Sequence, residues 1–251
     1  MERYKLTLAY DGTDFYGSQR QANKPTIQLA LEKALNGIGW SGSSVSFAGR
    51  TDTGVHASGQ VASVEMEWRH TSGELLKAIN AKLPQEISVL FVEQAPPHFH
   101  PRFSASSRSY RYRIYHQPVR DPQRERYAWR IWPALEATML NKLAADLVGT
   151  HDFASFGTPP RSGQSTIREV MAAEWIESDD EVVFCVKANA FLYHMVRRLV
   201  FAQVAIAQGR EPDNALQDLL GAPKRRTFAG LAPACGLTLT NVTYPDQFRN
   251  I

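Results

Sequence analysis

Residues 4–10, YKLTLAY, have the composition of a strand, and the Asp11-Gly12 turn signal closes the run, so the chain opens on a strand. After Pro25 the period changes: Ile27, Ala30, Leu31, Ala34 and Leu35 recur at helical spacing, which predicts an amphipathic helix ending near Gly37. Residues 45–48 are short, apolar and β-prone. Residues 60–68 set Val64, Met66 and Trp68 on one strand face and Ser63, Glu65 and Glu67 on the other. Thr71 and Glu74 have capping-box spacing and open a second helix, with Leu75, Leu76, Ile79 and Leu83 on its buried face. Pro84 ends that helix, and 87–92 is a fourth strand. The order is β-α-β-β-α-β.

Residues 95–101, APPHFHP, are a proline-rich connection that divides the chain into 1–101 and 102–251. The second part repeats the order. A strand over 109–116 precedes a helix that follows Pro133, with Leu135, Met139, Leu143 and Leu147 spaced by four. Strands over 166–176 and 182–188 flank the acidic turn Glu177-Ser178-Asp179-Asp180; Val182, Phe184, Val186 and Ala188 share a face of the second. A long helix over 191–208, a short one over 212–220 and a strand over 237–244 complete the chain. Each half is a split β-α-β unit, so the fold class is α+β, two ferredoxin-like halves with a mostly antiparallel sheet. The cleft between such halves is the natural place for a site. No residue-level repeat relates the halves.

The 251 residues suffice for a full core, in one large domain or two smaller ones. The sequence MERYKLTLAY carries no signal-peptide pattern. The longest apolar run, 199–207, is short and contains Gln203, so a soluble, cytoplasmic protein with no membrane partner is expected. Cys185 and Cys235 lie far apart in apolar surroundings and are expected as buried free thiols. Net charge is only +3, but its distribution is uneven. Eight arginines fall between Arg102 and Arg130 against Asp121 and Glu125, and Lys224, Arg225 and Arg226 form a second basic group. Residues 174–181 hold five acids and no base. Such segregation favours a positive face meeting a polyanion, against the plain alternative of a solvated surface.

Between the strands at 45–48 and 60–68 lies GRTDTGVHA, residues 49–57, longer than a hairpin needs. It spends Arg50, Asp52 and His56 where Ser or Asn would do, which suggests a working loop; the plain alternative is that Asp52 caps its own turn. The helix over 191–208 is apolar nearly all round yet carries Arg197 on a face with Tyr193, Phe201 and Val204. A buried guanidinium needs an acid, and Asp52 is one candidate among those the sequence offers. Arg198 turns away from that face, as a phosphate contact or a surface residue. In the strand over 109–116, Tyr110, Tyr112 and Ile114 alternate with Arg111, Arg113 and Tyr115. This suits a surface where a base stacks with phosphates nearby, although a strand with core tyrosines has the same pattern. Alternation does not choose between Tyr110 and Tyr112.

His98-x-His100 and His151-Asp152 lack the further ligands a metal site requires, and no phosphate loop of Walker or Rossmann spacing is present. Asp52-Thr53-Gly54 matches the aspartic-protease tripeptide. That chemistry needs a second Asp sharing one proton, and the chain has no second DTG.

GRTDTGVHASGQV, RSYRYRIY, ANAFLYHMVRRLV and GLTLTNVTYP, with AYDGTDFYGSQRQ at the start, resemble the tRNA pseudouridine synthase I family over nearly the whole chain and in the family's order. The resemblance implies the pseudouridine synthase fold. It implies conversion of uridine to pseudouridine at positions 38, 39 and 40 of the tRNA anticodon arm, without metal or cofactor. It places the catalytic aspartate on Asp52, the active-site tyrosine on Tyr110 and the Asp-pairing basic residue on Arg197. Arg50 becomes the residue that holds the target base flipped, and Arg108, Arg111 and Arg198 join it as RNA contacts. It also implies a homodimer in which one tRNA contacts both subunits. Two positions depart from the family pattern: Ser18 stands where Trp is usual, and Leu231 replaces a more usual Thr.

Overall fold

The structure, a computed structural model, describes residues 1–159, 163–223 and 228–248; the basic group Lys224, Arg225 and Arg226 lies outside them. The chain runs through β1 (Glu2–Tyr10), α1 (Ile27–Asn36), β2 (Ser46–Phe47), β3 (His56–Met66), α2 (Ser72–Asn80) and β4 (Ile87–Ala95). It continues through β5 (Ser107–Tyr115), β6 (Trp129–Arg130), α3 (Ala137–Ala145), β7 (Gly149–Asp152) and β8 (Ile167–Ser178). It ends through β9 (Glu181–Ala188), α4 (Met195–Ala207), α5 (Ala215–Gly221) and β10 (Leu237–Thr243). Two compact units result, Met1–Ser107 with Thr238–Ile251, and Arg108–Leu237.

In the first unit β1 lies between β3 and β4, antiparallel to both. β2 pairs with β3 at Ala62 and Ser63, while β10 runs parallel to β3 at His56 and Ala57. This is the expected ferredoxin-like order. Alternation holds along β1, where Tyr4, Leu6, Leu8 and Tyr10 are buried with Ile27, Leu31 and Leu35 of α1. Each such side chain contributes roughly 1.5–3 kcal/mol by leaving water. Thr71 and Glu74 form both halves of the capping box, Thr71 Oγ1 accepting from Glu74 N–H and Glu74 Oε2 from Thr71 N–H. At the far end of α2, Asn80 exchanges two 2.8 Å hydrogen bonds with the backbone of Val89 and so fixes the helix to β4. The sequence groups the last strand with residues 102–251; by packing, residues from Thr238 onward cluster with the first unit, because Thr238 and Leu239 lie against β3.

In the second unit β9 lies between β5 and β8, antiparallel to both, with β7 on the outer edge of β8 and β6 parallel to β5. α4 is shorter than its apolar pattern predicts. His194 adopts φ 65°, a left-handed conformation that no helix interior accommodates, so the helix starts at Met195. Tyr193 therefore lies outside the helix, 57% exposed, and does not share a helix face with Arg197. Gln203, the polar residue inside the apolar run, is fully buried and accepts from Trp175 Nε1 at 2.8 Å. Cys185 and Cys235 are free and only part-buried. Among the described residues no helix is long and apolar enough to cross a membrane.

Part of the charge segregation noted in the sequence is used internally. The β8–β9 turn presents Asp180 and Glu181 to arginines of the basic cluster. Arg124 meets Asp180 at 2.5 and 2.9 Å and Glu181 at 2.7 Å, and Arg113 holds Glu181 through two bonds of 3.0 and 2.8 Å. Hydrogen bonds from Arg124, then from Gln117, lower the Asp180 carboxyl from 3.8 to about 2. Because the folded value lies below the unfolded one, the pair stabilises the fold above about pH 4, and the contribution is lost as pH falls toward 2. Asp180→Asn is expected to lower the melting temperature slightly at pH 7 and to close the gap with wild type as pH falls through that window. Thermal melts across the acid range measure this; a gap that persists at the acid end would contradict it.

Candidate active site

The loop before β3 is shorter than the sequence suggests, since His56 and Ala57 already belong to the strand. Gly49 to Val55 is left to carry the charges, and its backbone is held almost residue by residue. Gly49 O accepts from Gln60 Nε2 at 2.9 Å. Asp52 O accepts from Val55 N–H at 3.1 Å, closing a turn around Gly54, whose φ of 77° suits glycine. Gly54 N–H in turn donates to Phe15 O at 3.3 Å. His56 is buried, and its Nδ1 accepts from Gly12 N–H at 3.1 Å.

The stretch from Asp11 to Ser18 lies against this loop at backbone distance. A Cβ on Gly12 would fall 2.0 Å from Val55 O, and one on Gly17, at φ 82°, would fall 2.6 Å from Thr51 O. No side chain fits at either position without moving the loop. Arg50 projects into solvent and Asp52 is partly exposed, so a rigid base displays two charges. Tyr10, fully buried beneath them, has its phenol pushed up to about 12 by burial.

In the second unit β5 resolves what alternation leaves open. Tyr112 is 0% exposed, its hydroxyl donates to Pro233 O at 2.8 Å, and burial raises its phenol well above the ordinary value. Tyr110, two residues along the same face, is part-exposed and meets Phe191 edge-on with ring centroids 5.0 Å apart. Tyr112 is a core tyrosine, and Tyr110 alone of the two presents a ring to solvent. Arg111 is exposed, whereas Arg108 is buried and donates to Asn189 O at 3.0 Å. Arg197 lies in the first turn of α4, part-exposed, and donates through Nε to Ala232 O at 2.7 Å while its own carbonyl accepts from Ala232 N–H. This grip, with the Tyr112 bond next to it, fixes the segment before β10. Arg198 is part-exposed.

Thus Arg50 and Asp52 share one held loop of the first unit. Tyr110, Arg108, Arg111, Arg197 and Arg198 belong to β5 and α4 of the second. Among the described residues no group of three His, Cys, Asp or Glu side chains is placed to hold a metal. His100 serves its turn instead, its Nδ1 accepting from the N–H groups of Arg102 and Phe103.

A sequence profile described as tRNA pseudouridine synthase matches residues 7–104 and 143–245. Those stretches include Asp52 and Arg197 and pass over Tyr110. The chain is 39% identical over 251 residues to the tRNA pseudouridine synthase A of Azorhizobium caulinodans, covering 98% of this chain and 96% of that one. The protein of that name from Methylacidiphilum infernorum is 40% identical over 245 residues, covering 97% and 96%. That of Enterobacter sp. is 37% identical over 248 residues, covering 99% and 92%.

Proposed function

The chain belongs to the tRNA pseudouridine synthase family, and from that premise we propose that it isomerises uridine to pseudouridine at positions 38, 39 and 40 of the tRNA anticodon stem-loop. The observation that carries this reading is the held loop with Asp52 and Arg50 at its surface. The N1–C1′ bond of uridine breaks, the base turns, C5 bonds to C1′, the C5 proton leaves and N1 gains one. The product is an isomer of the substrate, so no electrons are gained or lost.

Asp52 acts at the sugar, as nucleophile on C1′ or as base on the C2′ proton. Either role needs an ionised carboxylate, and Arg197 is its cationic partner. Tyr110 stacks on the freed uracil and is the candidate base that removes the C5 proton, its phenol oxygen giving up its own proton as it does so. A base in or beside a stem must be flipped out at a cost of a few kcal/mol, and Arg50 holds it out. Arg108, Arg111 and Arg198 contribute contacts to the RNA backbone, which dominates affinity. The enzyme works in the cytoplasm as a homodimer, each tRNA touching both subunits.

Incubating the purified protein with unmodified tRNA transcripts that carry uridine at 38, 39 or 40 tests the assignment. Carbodiimide labelling followed by primer extension is expected to stop at those three positions. Stops elsewhere would move the target. Binding without any stop would mean an RNA-binding module of the same fold that does not turn over.

A further inference from the structure

Thr51 separates the two charged residues of the loop, and all of its polar groups are engaged within the first unit. Its N–H donates to Ser18 Oγ at 2.8 Å, its carbonyl accepts from Ser18 N–H at 3.0 Å, and its Oγ1 shares a 2.9 Å hydrogen bond with Tyr10 OH. Ser18 is 1% exposed, and Thr51 and Tyr10 are also buried, so none of these bonds competes with water. Tyr10 OH is in turn 3.4 Å from Gln60 Nε2, the group that holds Gly49 O. Arg50 therefore has a fixed residue on each side. Asp52 has Thr51 before it and the Gly54–Phe15 bond after it.

Ser18 is itself anchored. Its carbonyl accepts from Gln28 N–H at 2.9 Å, and the carbonyl of Gly17 accepts from Ile27 N–H at 3.3 Å. These donors belong to the first turn of α1, where no intrahelical acceptor exists for them. A continuous path of hydrogen bonds thus joins the start of α1, through Ser18, to the residue before Asp52. Ser18 is too buried to touch RNA.

We propose that Ser18 is a positioning residue for Asp52: its paired bonds with Thr51 fix the direction in which the carboxylate leaves the loop before RNA arrives. This rests on the reading of Asp52 as the catalyst. Without the Ser18 hydroxyl, Thr51 N–H is left buried with no acceptor, an expensive state that the loop relieves by turning the Thr51 peptide. That N–H belongs to the Arg50–Thr51 peptide, so turning it shifts Thr51 and, through Thr51, the start of Asp52, and displacement of a reacting group by about 1 Å costs roughly 100-fold in rate. The effect falls mainly on the chemical step, because Arg111 and Arg198 do not depend on this peptide for their contacts with RNA.

Ser18→Ala is the test, with kcat and KM measured on tRNA and kcat expressed per folded molecule. The expected result is a fall of roughly 10–100-fold in kcat with KM and tRNA affinity unchanged. Tyr10→Phe, which keeps both Ser18–Thr51 bonds and removes only the hydroxyl shared with Thr51 Oγ1 and Gln60, is expected to give a smaller fall in the same constant. A lower melting temperature with full kcat per folded molecule would make Ser18 structural and overturn the proposal. Wild-type protein with no activity on tRNA would overturn the reading of Asp52 as well, whereas an active wild type beside a fully active Ser18→Ala overturns this inference alone. Amide exchange of the RNA-free wild type decides the matter if Ser18→Ala does not fold. Slow exchange at Thr51 supports a preset loop, and exchange at the rate of an open chain refutes it.

Discussion

Asp52→Asn is expected to abolish tritium release from tRNA labelled at uridine C5, by at least about 10⁴-fold, while tRNA binding is unchanged or slightly tighter. Asn keeps the shape of the side chain and loses the carboxylate, which both proposed roles at the sugar require. The loop should survive the change. Its backbone is held through Gly49, Thr51, Gly54 and Val55, and none of those bonds uses the Asp52 carboxylate. Removing a negative charge from a surface that meets a polyanion does not weaken attraction to it. A variant that still releases tritium near the wild-type rate would remove Asp52 from the chemistry. One that loses tRNA binding as well would point to a collapsed loop, which melting curves would reveal.

The second large effect separates two tyrosines that the sequence leaves equivalent. Tyr110→Phe is expected to lower kcat by about 10²–10⁴-fold without changing stability, because the ring and its contact with Phe191 remain while the proposed C5 base is gone. Tyr112→Phe is expected to do the reverse. It leaves Pro233 O without the 2.8 Å bond it accepts, costing about 1–3 kcal/mol in urea unfolding, with kcat per folded molecule intact. Full activity in Tyr110→Phe would reduce Tyr110 to a stacking surface. Loss of activity in folded Tyr112→Phe would reverse the assignment.

Local signals with a mechanism of their own were legible in the sequence. The Thr71–Glu74 box, the helical spacing of α1 after Pro25 and the strand-forming composition of β1 each depend on residues within one turn or one element. Features set by distant partners were not. Nothing in ANAFLYHMVRRLV announces that His194 turns left-handed, so α4 appeared four residues too long at its start. The basic cluster looked like one surface, yet Arg113 and Arg124 are matched to Asp180 and Glu181 across long stretches of chain. Nothing in the helical spacing of α1 announces that Glu32 is buried, its carboxylate accepting from Val45 N–H at 3.1 Å and from Gln28 at 2.9 Å. For the candidate site, the sequence nominated Asp52 and its neighbours. It could not supply the frame, because Ser18 grips Thr51 across thirty-three positions.

The strand partnership at His56 and Ala57 has a consequence for the chain as it leaves the ribosome. Residues 108–237 form a contiguous unit that can fold in one piece, whereas the unit bearing Asp52 is discontinuous and receives β10 from the far end of the sequence. Until Thr238 and Leu239 emerge, the start of β3 has an open edge directly beside the Asp52 loop, and Gly59 has no Thr240 carbonyl against it. The loop bearing Asp52 thus takes its finished form only after β10 has been made. A product of premature termination before Thr238 would carry Asp52 on an unsealed strand, vulnerable to aberrant pairing.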